Sequence, residues 1–135
     1  MNLLPLKETA IEAAYAAGRI IRSYMDQEIH VEEKDGGSNY ASQVVTKVDK
    51  ECEEEILSYL LPACEEYDLA LLTEETEDDG SRFKKEYFWC VDPIDGTLAF
   101  IRNKPDFSIS IALVSREGEP VIGVIYDPST ETLYH

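Results

Sequence analysis

The residues best suited to chemistry form one short run, Asp92-Pro93-Ile94-Asp95-Gly96-Thr97, directly after a predicted strand. Pro93 fixes its own φ angle, so the chain turns sharply and Asp92 and Asp95 can converge on one point. The Ile94 carbonyl can face the same way. Because hard oxygen ligands of this kind suit magnesium, the run predicts a Mg²⁺ site.

The same run could also hold an anion. Gly96 lets the backbone approach a ligand closely, and Thr97 would begin a short helix whose free amide groups can bind a phosphate. The alternative is an ordinary turn in which Asp95 caps a helix, and the pair Asp95-Gly96 alone would favour that alternative. The full run favours a site, because five specified residues match by chance at a given position only about once in a few million.

A second pair of carboxylates, Glu74-Glu75, follows the apolar run from Leu69 to Thr73, which has the length of a strand. Acidic loops are usually just solvated, so the pair is weak evidence alone. Two metal ions about 4 Å apart need several carboxylates, however, and some of these must bridge the ions. We therefore predict that Glu74 joins Asp92 and Asp95 at the metal site.

Thr46 and Asp49 have the spacing of a helix capping box, and capping is the default interpretation of this pair. The functional alternative pairs the Asp49 carboxylate with the Thr97 hydroxyl to orient the water that attacks phosphorus. Lys34, before a glycine-rich stretch, is by default a solvated charge.

With these motifs in place, the chain resembles the inositol monophosphatase superfamily of lithium-sensitive, magnesium-dependent phosphatases. The Asp92–Thr97 run, extended backwards to Trp89, is highly specific for that superfamily. Supporting similarity comes from Val45–Asp49, Thr73–Glu75, Phe107–Leu113 and Gly123–Tyr126. The resemblance extends from the first predicted helix to the last residue.

The resemblance implies roles for individual residues. Magnesium ligands would be Glu74, Asp92, the Ile94 carbonyl and Asp95. Asp49 would act with Thr97 on the attacking water, and the Gly96 and Thr97 amides would hold the substrate's phosphate. Lys34 matches only loosely a lysine near the family's mobile metal loop.

Two departures from the family bear on function. A second signature, Trp-Asp followed by small residues, belongs to the family's C-terminal half, and nothing after Tyr134 could supply it. We therefore expect residues 1–135 to form one N-terminal metal-binding domain without the C-terminal substrate half, with weak activity or none when alone. Leu98 and Ala99 also replace the polar residues usual in bacterial bisphosphate nucleotidases.

The substrate prediction remains divided. A 3′(2′),5′-bisphosphate nucleotidase activity ranks first, because the Phe100-Ile101 and Phe107 segments look closer to that branch. An inositol monophosphatase activity ranks second. A third alternative, from another class, is a truncated, non-catalytic module that binds a metal or a partner.

The apolar spacing predicts an α+β fold, with two helices on a largely antiparallel sheet. By resemblance this is the N-terminal part of the layered α-β-α-β-α sugar-phosphatase fold. Predicted helices cover 5–26 and a segment from Thr46 that Pro62 ends or kinks. A loop is predicted from Asp35 to Ser42, and a turn is predicted from Asp92 to Thr97. Two brief strands are predicted at 28–33 and Val44-Val45. Longer strands are predicted at 69–73, 87–91, 107–114, 120–126 and 132–134.

The composition narrows the class of partner. A formal net charge of −16 argues against nucleic acids and anionic membranes as partners of the chain. This charge would also repel a phosphate ester unless cations lie between the ester and the carboxylates. Since no signal peptide or membrane span is visible, we expect a cytoplasmic enzyme whose three cysteines are reduced and buried. The expected partner is a small-molecule phosphate ester, and the open strands at the end of the chain suggest a possible homo-oligomer.

Overall fold

The computed structural model describes residues 2–26, 38–73, 80, 83–95 and 108–135, and the side chains of these except 25, 26, 38–46 and 93–95. The helices are α1 (Leu4–Asp26) and α2 (Ser38–Tyr67). The strands are β1 (Ala70–Thr73), β2 (Tyr87–Asp95), β3 (Ser108–Ser115), β4 (Pro120–Asp127) and β5 (Thr132–Tyr134). This order of elements confirms the predicted α+β class.

The strands form one five-stranded sheet in chain order, β1-β2-β3-β4-β5. β1 pairs with β2 in parallel, and every other neighbouring pair is antiparallel, so the predicted, largely antiparallel sheet is correct. α1 packs against α2, β3 and β4, and α2 packs against β2. Both helices therefore cover the same face, here called the inner face of the sheet.

Alternation along the strands builds the core. β3 alternates strictly between half-buried and buried positions, as a strand with one covered face should. The buried inner-face side chains are Trp89, Val91, Ile109, Ile111, Leu113, Ile122, Val124 and Tyr126. The opposite, outer face leaves Val121, Ile125 and Tyr134 exposed. Pairing with a second copy of the chain stays a prediction.

The second helix is longer than predicted at both ends. It begins at Ser38, so the predicted strand at Val44-Val45 and most of the predicted loop before it are wrong. Thr46 and Asp49 lie inside the helix, which rules out their role as its N-terminal cap. Pro62 does not end the helix either, because it lies on an exposed position where the lost backbone hydrogen bond faces water.

The predicted turn at Asp92 is also corrected. β2 continues as a strand through Asp95, with an irregular register after Asp92. The other strand predictions agree with the structure to within about one residue, a normal uncertainty for element ends. The strand predicted at 28–33, residues 96–107 and most of the loop after β1 lie outside the described residues.

None of the three cysteines forms a disulfide, and only Cys52 is fully buried. Cys64 is half-buried, and Cys90 is exposed, contrary to prediction. Cys90 alternates with the buried Trp89 and Val91, so it lies on the outer face of the sheet, away from the helices.

Neither of the two described helices has an apolar stretch sufficient to cross a membrane. The expected cytoplasmic location remains a prediction.

A glycine allows α1 to pack closely on β4. A Cβ atom added at Gly18 would lie 2.3 Å from Cε2 and 2.9 Å from Cδ2 of Tyr126, whose ring is almost fully buried. Tyr15 packs edge-on against the same ring, with 4.9 Å between the ring centroids. The Tyr126 ring is therefore confined by α1 at two places, Gly18 and Tyr15.

We expect Gly18→Ala to lower the free energy of unfolding by up to about 2 kcal/mol. Overpacking a core costs typically 1–3 kcal/mol, which outweighs the gain of about 1 kcal/mol in helix propensity. Urea denaturation would measure the change. Gly123→Ala is the matched control, because no atom lies within 4 Å of a Cβ added there, so it should leave stability unchanged or raise it slightly. Equal stability for Gly18→Ala and the parent chain would contradict this packing.

The three thiols should react with a soluble disulfide reagent in the order Cys90, Cys64, Cys52. Burial raises the pKa of Cys64 to about 11. Burial and then the negative charges of Asp49, Glu51 and Glu55 raise the pKa of Cys52 to about 12. Only the thiolate reacts, so near pH 8 the folded chain should show one fast thiol, and urea should release the slowest. Fast labelling of Cys52 in the folded chain would refute its position in the core.

Candidate metal centre

The candidate site begins where two parallel strands end. In the parallel pair of β1 and β2, Thr73 lies opposite Val91, so the carboxyl end of β1 lies beside the residue that precedes Asp92. Glu74 is the next residue in the sequence after Thr73. The structure describes the chain up to Thr73, and Glu74 itself lies outside the described residues. The meeting of Glu74 with Asp92 and Asp95 therefore stays a prediction.

A β-bulge shapes the Asp92 segment. Asp92 lies opposite Ser110 and Asp95 lies opposite Ser108, so β2 advances three positions while β3 advances two. β2 therefore carries one extra residue between Asp92 and Asp95, which defines the bulge. Pro93 has no N–H to donate to the ladder, and bulges are among the few places where a sheet accepts proline.

The side chains of Asp92 and Asp49 are both half-buried, and each has one carboxylate oxygen, Oδ1, that is shielded from solvent. Asp92 is held on a strand that has neighbours on both sides. Asp49 is held on α2, which packs directly against β2. Both carboxylates are therefore fixed on rigid elements rather than on loops.

The first half of α2 creates a negative field that reaches into the core. Its described acidic residues include Asp49, Glu51, Glu53, Glu54 and Glu55. The charges of three of them contribute to the raised pKa of the buried Cys52 thiol, after the larger effect of burial. Such a field attracts cations and repels anions.

One buried acidic residue, Glu53, is not among the residues singled out from the sequence. Its side chain is only 7% exposed, and its Oε1 atom accepts no hydrogen bond from any described residue. The available signal was its position four residues after Asp49, beside the apolar stripe of α2. An acidic residue in such a stripe is unusual, since carboxylates are seldom fully buried unless they are paired.

Several predicted site residues cannot be placed by the structure. Glu74, Gly96 and Thr97, together with Lys34, lie outside the described residues, and only the backbone is described at Thr46, Ile94 and Asp95. Among the described side chains, no group of three or more His, Cys, Asp or Glu residues could hold a metal ion. The Asp92 carboxylate is the one predicted ligand side chain that is described.

The available donors nevertheless fit magnesium. The possible metal ligands in the bulge are carboxylate and carbonyl oxygens, and the bulge contains no histidine or cysteine. Hard oxygen ligands of this kind suit Mg²⁺ rather than zinc or copper. Asp92 brings a carboxylate with one shielded oxygen to this stretch, where a cation would offset the cost of burying its charge.

Comparison with known proteins gives a consistent result. The family model described as the inositol monophosphatase family matches residues 2–135. Among relatives of known sequence, inositol monophosphatase 2 of Solanum lycopersicum is 35% identical over 130 residues, which are 94% of this chain and 46% of the relative. Nus factor SuhB of Escherichia coli K12 is 34% identical over 131 residues, which are 96% of this chain and 46% of that protein.

Solved structures agree with the sequence relatives. CysQ from Bacteroides thetaiotaomicron superposes with a TM-score of 0.76 at 34% identity, covering 98% of this chain and 46% of that one. SaIMPase-II with 2′-AMP bound superposes with a TM-score of 0.73 at 32% identity, with 98% and 45% covered. The same protein with inositol monophosphate bound gives 0.70 at 31% identity, with 98% and 43% covered.

The chain thus spans about half the length of the relatives it matches. The match nonetheless runs over nearly all of this chain, and the two-helix, five-strand arrangement agrees with the solved neighbours as well as the sequence does. The chain belongs to the inositol monophosphatase family.

Proposed function

We propose that the chain supplies the magnesium-binding part of a phosphate monoester hydrolase that acts on small phosphate esters. One observation carries the proposal. The bulge after Asp92 lies at the carboxyl end of β2, beside the carboxyl end of β1, so the acidic run at 92–95 is next to the strand that precedes Glu74-Glu75 in the sequence. A bulge alone would not require carboxylates after both strands, whereas a cation site does.

In the proposed site, Glu74, Asp92, Asp95 and the Ile94 carbonyl hold Mg²⁺. Bound there, the cation would offset the charge of the phosphoryl oxygens and favour deprotonation of the attacking water. The Thr97 hydroxyl donates a hydrogen bond to Asp49 and so orients that water. The Gly96 and Thr97 amides donate hydrogen bonds to the phosphate, and their dipoles stabilise its charge as it develops.

We rank bisphosphate nucleotides as the first substrate class and inositol monophosphate as the second. The similarity to CysQ supports the first ranking, as does a neighbour, SaIMPase-II, solved with 2′-AMP bound. The same neighbour solved with inositol monophosphate bound supports the second. That neighbour has thus been solved with a nucleoside monophosphate and with an inositol monophosphate.

The second candidate function is a non-catalytic module that binds a metal or another macromolecule. One observation favours it: a relative with 34% identity carries the name of a Nus factor rather than that of a phosphatase. This candidate shares the proposed Mg²⁺ site but predicts no turnover.

Phosphate release separates the candidates. With Mg²⁺, we expect residues 1–135 to release phosphate from adenosine 3′,5′-bisphosphate and inositol 1-phosphate at least roughly a hundredfold more slowly than a full-length relative, because imprecise positioning alone costs about that factor. Slow release that stops when the metal is chelated supports the hydrolase. Comparable rates would show that the remainder of the relative is dispensable. Mg²⁺ binding without any release would favour the non-catalytic module.

Asp95→Asn should abolish the function of the metal site while preserving the fold. The change keeps the size of the side chain but removes its charge, so Mg²⁺ affinity should fall by at least about 100-fold, since even residues around metal ligands typically contribute 10–100-fold. Titration calorimetry with Mg²⁺ and thermal unfolding would measure both properties on the same samples.

Glu117→Gln is the matched control for Asp95→Asn, because it removes one carboxylate charge from an exposed turn far along the chain. It should leave Mg²⁺ affinity within about twofold, since distant exposed charges are screened. Unchanged affinity in Asp95→Asn, or no Mg²⁺ binding by the unmodified chain, would reject the proposed site.

A further inference from the structure

The edge of the sheet beside β4 is only partly covered. β5 pairs with β4 at Ile125, Tyr126 and Asp127, whereas β4 begins at Pro120. Among the described residues, no strand pairs with 121–124 on the side that β5 occupies further along. Successive residues of a strand direct their N–H and C=O groups to alternate sides, so about half of these residues present them to the unpaired side. Residues 121–124 are here called the open edge.

An apolar groove lies along the open edge. Its volume is about 290 Å³, and its lining includes Leu3, Leu4, Val121, Ile122 and Gly123. Leu4 is 59% exposed and Val121 is 37% exposed. No atom lies within 4 Å of a Cβ atom added at Gly123, so the strand is accessible there. Unpaired backbone groups beside exposed apolar side chains form a template on which a further strand can add.

The register of β5 specifies how such a strand would lie. Tyr134 is opposite Ile125, so His135 is next in line, and its side chain lines the groove. In the same register, the second residue after the position of His135 is opposite Ile122, which is buried on the inner face. Because directly paired residues share a face, that second residue points towards the groove. An apolar side chain there would cover the exposed leucines of α1.

Family membership indicates a source for the strand. The solved neighbour CysQ is matched over 98% of this chain but over only 46% of its own length. By resemblance, the remainder includes the C-terminal half of the family, whose first residues follow the position of His135. A second copy of this chain is a less favourable occupant, because two chains that each carry a net charge of −16 repel each other.

We propose that the open edge binds, by strand addition, the first segment of the C-terminal half of an inositol monophosphatase family protein. The segment runs antiparallel to β4 in line with β5, and an apolar side chain of the segment fills the groove. The inference rests on family membership and on the register of β4 and β5, and not on the proposed metal site.

A synthetic peptide is the probe for this binding. It copies the residues of Escherichia coli K12 SuhB that begin at the position aligned with His135. The peptide would be titrated into the isotopically labelled 135-residue chain, and amide NMR would locate the site and measure the affinity. We expect saturable shifts at the open edge with a Kd of about 100 µM, since a few backbone hydrogen bonds and one or two apolar side chains supply the affinity. A peptide with the same residues in scrambled order should cause no such shifts.

A pair of variants tests the groove itself. Leu4→Gln should weaken peptide binding roughly tenfold, because it removes an apolar wall of the groove. Leu61→Gln is the matched control, since it removes a leucine that is 49% exposed on α2 and does not line the groove. It should change the affinity less than about twofold.

Three results would overturn the inference. They are the absence of saturable shifts at the open edge, equal peptide affinity in Leu4→Gln and the unmodified chain, and a dimer of the chain alone whose amide shifts on dilution map to the open edge. The third result would assign the edge to a second copy. None of these measurements uses Mg²⁺ or turnover, so their failure leaves the proposed function standing, and a failure of Mg²⁺ binding leaves this inference standing.

Discussion

The pairing of β2 on both sides is the constraint on which the rest of this structure depends. β1 pairs with it in parallel and β3 in antiparallel, while Trp89 and Val91 bury its inner face under the helices. Trp89 is 0% exposed, and burial of an aromatic side chain this large contributes strongly to stability. The strand is therefore fixed in register up to Val91, and the position of Asp92 is determined before any ligand arrives.

Immediately after this fixed segment, Pro93 interrupts the backbone hydrogen bonding of β2, because proline has no N–H to donate. The bulge supplies one extra residue, and the ladder resumes with Asp95 opposite Ser108. The acidic run therefore begins where regular pairing of β2 ends, beside the carboxyl end of β1. Bulges are over-represented at sheet edges and next to active sites, where they end pairing or re-aim a side chain.

The accuracy of the predictions from sequence differed between the elements of the fold. The late strands β3 and β4 were predicted well because their apolar, largely β-branched runs are bounded by the turn residues Glu117-Gly118 and Asp127-Pro128-Ser129. The start of α2 was missed because Gly36, Gly37 and Asn39 are locally typical of loops, although the helix begins at Ser38. The motif at Asp92 was recognised, but its bulge was not, because a strand register depends on the partner strand. Glu53 was overlooked since burial is a tertiary property.

The distribution of charge imposes an order on binding. The chain carries a net charge of −16, and the acidic residues of α2 act even on the interior, where they add to the effect of burial on the Cys52 pKa. A phosphate ester that approached this field alone would be repelled, whereas a divalent cation would be attracted. The cation should therefore bind first, and its charge should then favour the anion. Coupling between two sites is reciprocal, so in the proposed mechanism a phosphate ester held by Gly96 and Thr97 would in turn raise the affinity for the cation. The acidic surface, which alone opposes a phosphate substrate, would in that mechanism make phosphate binding conditional on the metal.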